Sequence, residues 1–179
     1  DRPSRQQTLR NTIAWSYYLL DADEQQLFRR LSVFAGGCRL SAIEAICSTL
    51  GDQVEPVLDT VASLIDKSLL QQTEQEGEEP RLLMLETMRE YGLEVLTASG
   101  EMEITRQAHA LYYVRLSEEA EPELTGPRQA IWLERLEQEH DNLRAVLAWG
   151  LVPGEDRHRR EMALRLGGAL RQFWIVHGH

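Results

Sequence analysis

The chain has 179 residues, 42% hydrophobic and 27% charged, with a formal net charge of −10. This is an ordinary globular composition, enough for one large or two small domains, and no apolar run approaches the roughly 20 residues of a membrane span. The acidic balance counts against a non-specific nucleic-acid surface and holds in both halves, net −7 over residues 1–98 and net −3 over 99–179.

No leader peptide is expected behind Asp1-Arg2-Pro3-Ser4. The missing initiator Met and the apolar stretch Phe173–Val176 near the other end read as a piece cut from a larger architecture. Cys38 and Cys47 lie in no CxxC pattern, so both are expected to be reduced, buried thiols.

In chain order, Leu9, Ile13, Tyr17 and Leu20 recur at helical spacing. Asp21 with Glu24 has the pattern of a capping box and opens a second helix, with Leu27, Phe28, Leu31 and Phe34 on one face and Gly36-Gly37 as its stop. Ser41 with Glu44 predicts a second box and a short helix ended by Gly51. A longer helix follows, with Val54, Leu58, Val61 and Ile65 as its expected buried stripe. The period then changes. "SLLQQT" (68–73) and "RLLML" (81–85) read as strands around "EQEGEEP" (74–80), a solvated turn. A helix over 86–98 is expected to bury Met88, Tyr91 and Val95 and to close at Ser99-Gly100.

Helices followed by a two-stranded hairpin are the layout of a winged helix, so residues 1–99 are expected to form one. Residues 100–179 read as all helix, with breaks at "EPELTGP" (121–127), near His140-Asp141-Asn142, and at "VPGED" (152–156). Ala108, Leu111, Tyr112, Arg115 and Leu116 mark one amphipathic face. Gly167-Gly168 suits a close helix–helix approach. Antiparallel helix pairs joined by short breaks predict the start of an α-solenoid, with no exact internal period. The expected fold class is therefore mainly α.

Chemistry is sparse. Lys67, the sole lysine, precedes Ser68, but "SLIDKSLL" has no glycine, so there is no phosphate-binding loop; GxGxxG, HExxH and GxSxG are absent as well. His177-Gly178-His179 reads as a loose tail and not a metal site, and His140-Asp141 as capping and packing. The paired acids Glu78-Glu79 and Glu118-Glu119 read as solvated. No catalytic, cofactor-binding or metal-binding residue is expected. The helix that would enter a DNA groove, residues 53–66, carries Glu55, Asp59 and Asp66 and no Arg or Lys, and the turn at 74–80 is also acidic. Direct DNA binding is therefore not expected, and an interaction module is.

The blocks "QTLRNTIAWSYYLL" (7–20), "LFRRLSVFAGGC" (27–38), "LIDKSLL" (64–70), "LLMLETMREYGLEVL" (82–96) and "EHDNLRAVLAW" (139–149) resemble the bacterial STAND regulators. These are signal-transduction ATPases of the LuxR and antibiotic-regulatory transcription regulator kind. The resemblance implies an NB-ARC-like nucleotide-binding domain before this segment, tetratricopeptide-like sensor repeats after it, and a DNA-binding effector elsewhere in the parent chain. It also implies that Met84, Leu85 and Glu86 stand where relatives carry a Met-His-Asp motif whose His touches bound ADP. Leu85 replaces that His. A leucine cannot donate a hydrogen bond to a phosphate, which counts against direct ADP contact here. Met84, Leu85, Glu86 and Arg89 remain as candidates for contact between domains.

The expected function is a non-catalytic regulatory segment of a cytoplasmic ATPase. It would relay nucleotide state from the upstream domain to the downstream sensor, where a protein or small-molecule inducer acts. ATP or ADP belongs to the parent, not to this segment. The alternatives are a DNA-binding winged helix and a protein-binding helical scaffold. Glu86 itself, an acid in the first turn of a helix, is favoured by the helix dipole whatever else it does.

Overall fold

The computed structural model describes residues 2–73, 79–154 and 156–177. Its elements fall into two compact units, residues 1–105 and 106–179.

The first unit opens with α1 (Arg2–Tyr18), which buries Ile13 and Tyr17 and leaves Leu9 exposed. The Asp21–Glu24 box forms as expected at the start of α2 (Ala22–Leu31). The Glu24 amide donates to Asp21 Oδ1 at 2.9 Å, and the Asp21 amide donates to Glu24 Oε2 at 3.0 Å. The helix stops at Leu31, earlier than the Gly-Gly signal predicts, with Ser32 as its cap. Gly36 and Gly37 instead shape the following loop at φ +71 and +83. A Cβ on Gly37 would meet the Leu82 carbonyl oxygen at 2.6 Å, so the sheet's close approach requires glycine there.

That sheet contains the expected hairpin and one strand more. β1 (Cys38–Arg39), β2 (Gln71–Thr73) and β3 (Arg81–Leu83) lie in the order β1-β3-β2, all antiparallel, with Cys38 opposite Leu82 and Gln71 opposite Leu83. Residues 74–78 of the acidic turn lie outside the described residues. The second capping box does not form. Helix α3 (Leu40–Thr49) begins with Arg39 at its N-cap, and the acceptor for Ser41 comes from Glu79, across the chain. The Ser41 amide donates to Glu79 Oε1 at 2.9 Å and its hydroxyl to Oε2 at 3.2 Å. Glu79 is thus a structural anchor and not a solvated turn residue.

Helix α4 (Val54–Asp66) packs against α2 and α3 through Val57, Val61 and Leu64. Val54 and Leu58, expected inside, are exposed. Helix α5 (Glu86–Ser99) ends at Gly100 with φ +79, as its sequence announces, and packs on α1 and α2. It buries Tyr91, Gly92 and Leu96; Met88 and Val95 are only half-buried. A Cβ on Gly92 would sit 2.7 Å from Ser32 Cβ, so α5 meets the end of α2 almost backbone to backbone. Tyr17, Phe28 and Tyr91 pack with ring centroids 5.5 and 5.7 Å apart over this core. Cys38 and Cys47 are buried thiols outside any disulfide, and burial pushes the Cys47 thiol up to about 12.

Helix α6 (Met102–Ala120) leads into the second unit, which continues through a 3₁₀ turn (Glu121–Thr125), α7 (Gln129–Gln138), α8 (His140–Gly150), α9 (Arg157–Ala169) and α10 (Arg171–His177). Its core includes Tyr113, Leu124, Leu136, Leu143 and Phe173. Of the face expected on α6, Ala108 and Leu116 are buried, Leu111 and Tyr112 are half-buried, and Arg115 is exposed. The close helix approach lies at Gly150 and not at Gly167-Gly168. A Cβ on Gly150 would meet Ala163 Cβ at 2.7 Å, whereas at the other two it would meet nothing within 4 Å. Glu118 is not simply solvated; it takes Arg165 in a two-pronged pair at 2.8 and 2.9 Å.

Candidate functional site

The four residues singled out in the sequence come together on one cleft. β3 ends at Leu83, Met84 and Leu85 join it to α5, and α5 starts at Glu86. The Leu85 carbonyl accepts from the amides of Met88 and Arg89, both at 2.9 Å, which fixes the first turn. One turn on, the Arg89 guanidinium grips Glu86 with contacts of 2.8, 3.0 and 3.1 Å. Its other end donates to the Ser32 carbonyl at 3.2 Å, at the C-terminal end of α2. That places a cation on carbonyls the helix leaves unpaired. The hydrogen bond from Arg89 holds the Glu86 carboxyl below its usual range, against a smaller opposing effect of burial.

The cleft has a volume of about 250 Å³. Buried Leu31, Phe34, Ile43 and Leu70 line it, and Leu85 and Glu86, 47% exposed and 63% exposed at the side chain, border it. The volume is below the range of about 300–1,000 Å³ usual for ligand pockets and suits an inserted side chain better than a nucleotide. Its one guanidinium at the border is already held by a carboxylate, and Leu85 brings no donor.

Sequence reasoning missed two polar arrangements, one beside the cleft and one apart from it. Arg81 Nη2 donates to the carbonyls of Gly36 and Gly37, at 3.2 and 3.1 Å, and so holds the glycine loop beside the cleft. A charged residue inside the otherwise apolar run "RLLML" is the available signal. The second lies in the other unit. Glu139 Oε2 accepts from Tyr113 OH at 2.8 Å and from Asn142 Nδ2 at 3.0 Å, and Asn142 Oδ1 lies 3.2 Å from His109 Nε2. All four residues are buried, and burial drives the His109 imidazole down to about 4. The His140 ring packs at a tilt beside Phe173 and Trp174, with centroids 6.4 and 5.6 Å away.

Helix α4 follows α3 after a short turn, in the position of a groove-reading helix. Its outward face carries Glu55, Asp59 and Asp66. Lys67, the first cation after it, reaches back to Glu24. Among the described residues there is no cluster of three or more potential metal ligands, and no helix is long and apolar enough to cross a membrane. The side chains of the tail histidines, His177 and His179, lie outside the described residues.

Residues 20–97 match the family model of the winged helix-turn-helix domain. The matched stretch runs from α2 into α5 and contains the residues that line the cleft. Nearly the whole chain, 98% of it, is 40% identical over 177 residues to the "Putative HTH-type transcriptional regulator Rv0890c" of Mycobacterium tuberculosis and to its counterpart Mb0914c of Mycobacterium bovis. The chain spans about a fifth of the length of these curated relatives, 19%. A shorter stretch of 97 residues, 54% of the chain, is 36% identical to the "Uncharacterized protein Rv0894" of Mycobacterium tuberculosis and covers 24% of it. No solved structure matches the chain closely enough to count as a relative.

Proposed function

We propose that this chain is a regulatory, non-catalytic segment of a longer transcription regulator, in which the winged helix passes the state of a nucleotide-binding domain to a helical sensor. In this reading ATP or ADP is bound and hydrolysed elsewhere in a cytoplasmic STAND-type parent. Residues 100–179 begin its tetratricopeptide-like sensor, on which a protein or small-molecule inducer acts. The observation that carries the reading is the cleft at the start of α5. Leu85 presents an apolar side chain at its edge, and Arg89 is closed onto Glu86 and the end of α2. Such an edge suits contact with another domain better than contact with a phosphate. A rigid-body shift of the winged helix worth about 1–3 kcal/mol of coupling would suffice for a switch.

Calorimetry tests this in two arms. The chain alone gives no heat with ADP, and the nucleotide-binding segment of the full-length protein binds the chain with an affinity that changes between ADP and ATP and falls in Leu85→Asp. Micromolar ADP binding by the chain alone overturns the reading, as does segment binding indifferent to Leu85.

Direct DNA binding is the second reading, supported by the winged helix-turn-helix match and by the names of the relatives. The acidic face of α4 weighs against it. Sequence-specific retardation of a duplex by the chain at low salt would replace the first reading with this one.

A further inference from the structure

Two strips run side by side along the outward face of α4. Val54, Leu58 and Ala62 follow one another at a spacing of four; the first two are 40% and 37% exposed, and Ala62 is exposed as well. Beside them Glu55, Asp59 and Asp66 form a second strip, each exposed. None of the three carboxylates forms an ion pair among the described residues, and α4 contains no basic residue. Other acids on the same unit, Asp23 and Glu44 among them, add to the negative field of a chain with net charge −10.

We propose that this face of α4 docks a basic amphipathic helix of a partner protein, with apolar residues of the partner on Val54, Leu58 and Ala62 and its Arg or Lys side chains on Glu55, Asp59 and Asp66. The spacing of four makes a ridge that fits the groove of a second helix, and helix-in-groove recognition reads such i, i+4 anchors. Charge selects the partner. Three unpaired carboxylates beside an apolar strip repel nucleic acid and anionic lipid and favour a cationic peptide. The helix that would read DNA in a basic winged helix is thus turned to reading protein. This inference does not rest on the nucleotide-switch reading, which concerns the cleft at α5.

The test uses the whole 179-residue chain and two fluorescent helical peptides of about 16 residues. Both carry leucines at i, i+4 spacing; one is flanked by lysines and the other by glutamates. Anisotropy is expected to show the basic peptide binding at least about tenfold more tightly than its acidic twin, and weakening as salt rises. The isosteric variant Glu55→Gln/Asp59→Asn/Asp66→Asn, which leaves the buried face of α4 intact, is expected to lose about tenfold in affinity. Leu58→Ser, with the charges kept, is expected to lose several-fold, which charge-only sticking would not produce. Circular dichroism confirms that each variant is folded, and amide shifts on adding the basic peptide are expected to map to residues 54–66. Equal binding of the two peptides overturns the proposal. So does unchanged affinity in either variant, a shift map centred elsewhere, or a duplex DNA that displaces the basic peptide from these amides.

Discussion

Glu24 ties the winged helix together through charge, and replacing it by Gln isolates that charge. One carboxylate oxygen closes the capping box with the Asp21 amide, and the other accepts from Ser63 and Lys67 of the α4 region. The side chain of Glu24 is 6% exposed and that of Lys67 is 45% exposed. The hydrogen bonds from Lys67 and Ser63, in that order, outweigh burial and bring the Glu24 carboxyl from 4.5 to about 2. At 1.36 kcal/mol per unit this amounts to about 3 kcal/mol of stability at neutral pH. The sign follows from the depressed folded value: the contribution is complete above about pH 4.5 and is lost as pH falls toward about 2. Gln keeps the shape and the box geometry, and Lys67 without its partner turns to water. Glu24→Gln is therefore expected to cost about 3 kcal/mol at pH 7 and only about 1.5 kcal/mol at pH 3, in urea titrations of variant and wild type side by side. Taking the difference between the two proteins cancels every other titrating group. A deficit that stays constant between pH 7 and pH 3, or one below about 0.5 kcal/mol, would refute the electrostatic account.

Three further outcomes are expected. Gly92→Ala places a methyl 2.7 Å from Ser32 Cβ and should lower stability by about 1–3 kcal/mol despite its better helix propensity; a raised melting temperature would show that α2 and α5 can part freely. His109, held neutral at about 4 by burial, stabilises the folded state fully above pH 6.5 and less as pH falls toward 4. His109→Gln should flatten the stability profile in that window by up to about 3 kcal/mol, and a variant profile as steep as the wild type's would place the proton elsewhere. Glu86→Gln, at an exposed pair, should change stability by less than about 0.5 kcal/mol in thermal melts, while a loss above about 2 kcal/mol would make Glu86 a structural anchor.

Local signals carried much of this protein. The Asp21–Glu24 box and the Gly100 cap are legible because each depends on residues three or four apart, whose geometry the backbone fixes on its own. The hairpin was legible from the change of period at Ser68 and the acidic turn. The cleft residues Met84 to Glu86 stood out by resemblance, and Arg89 only as a candidate contact named beside them. Tertiary structure decided the rest. Helix α4 offers two overlapping apolar stripes that share Val61 and point about 60° apart, Val54-Leu58-Ile65 and Val57-Leu64. Periodicity cannot choose between them. The packing of α2 and α3, with Glu24 gripping Ser63 and Lys67, turns the second stripe inward and leaves Val54 and Leu58 on the surface. Likewise β1 is two residues long and exists only because β3 lies beside it, and Ser41 takes its acceptor from Glu79, 38 residues away. A sequence specifies what neighbours along the chain will do; which face is buried, and which carboxylate caps a distant helix, is settled only when remote segments compete for the same surface.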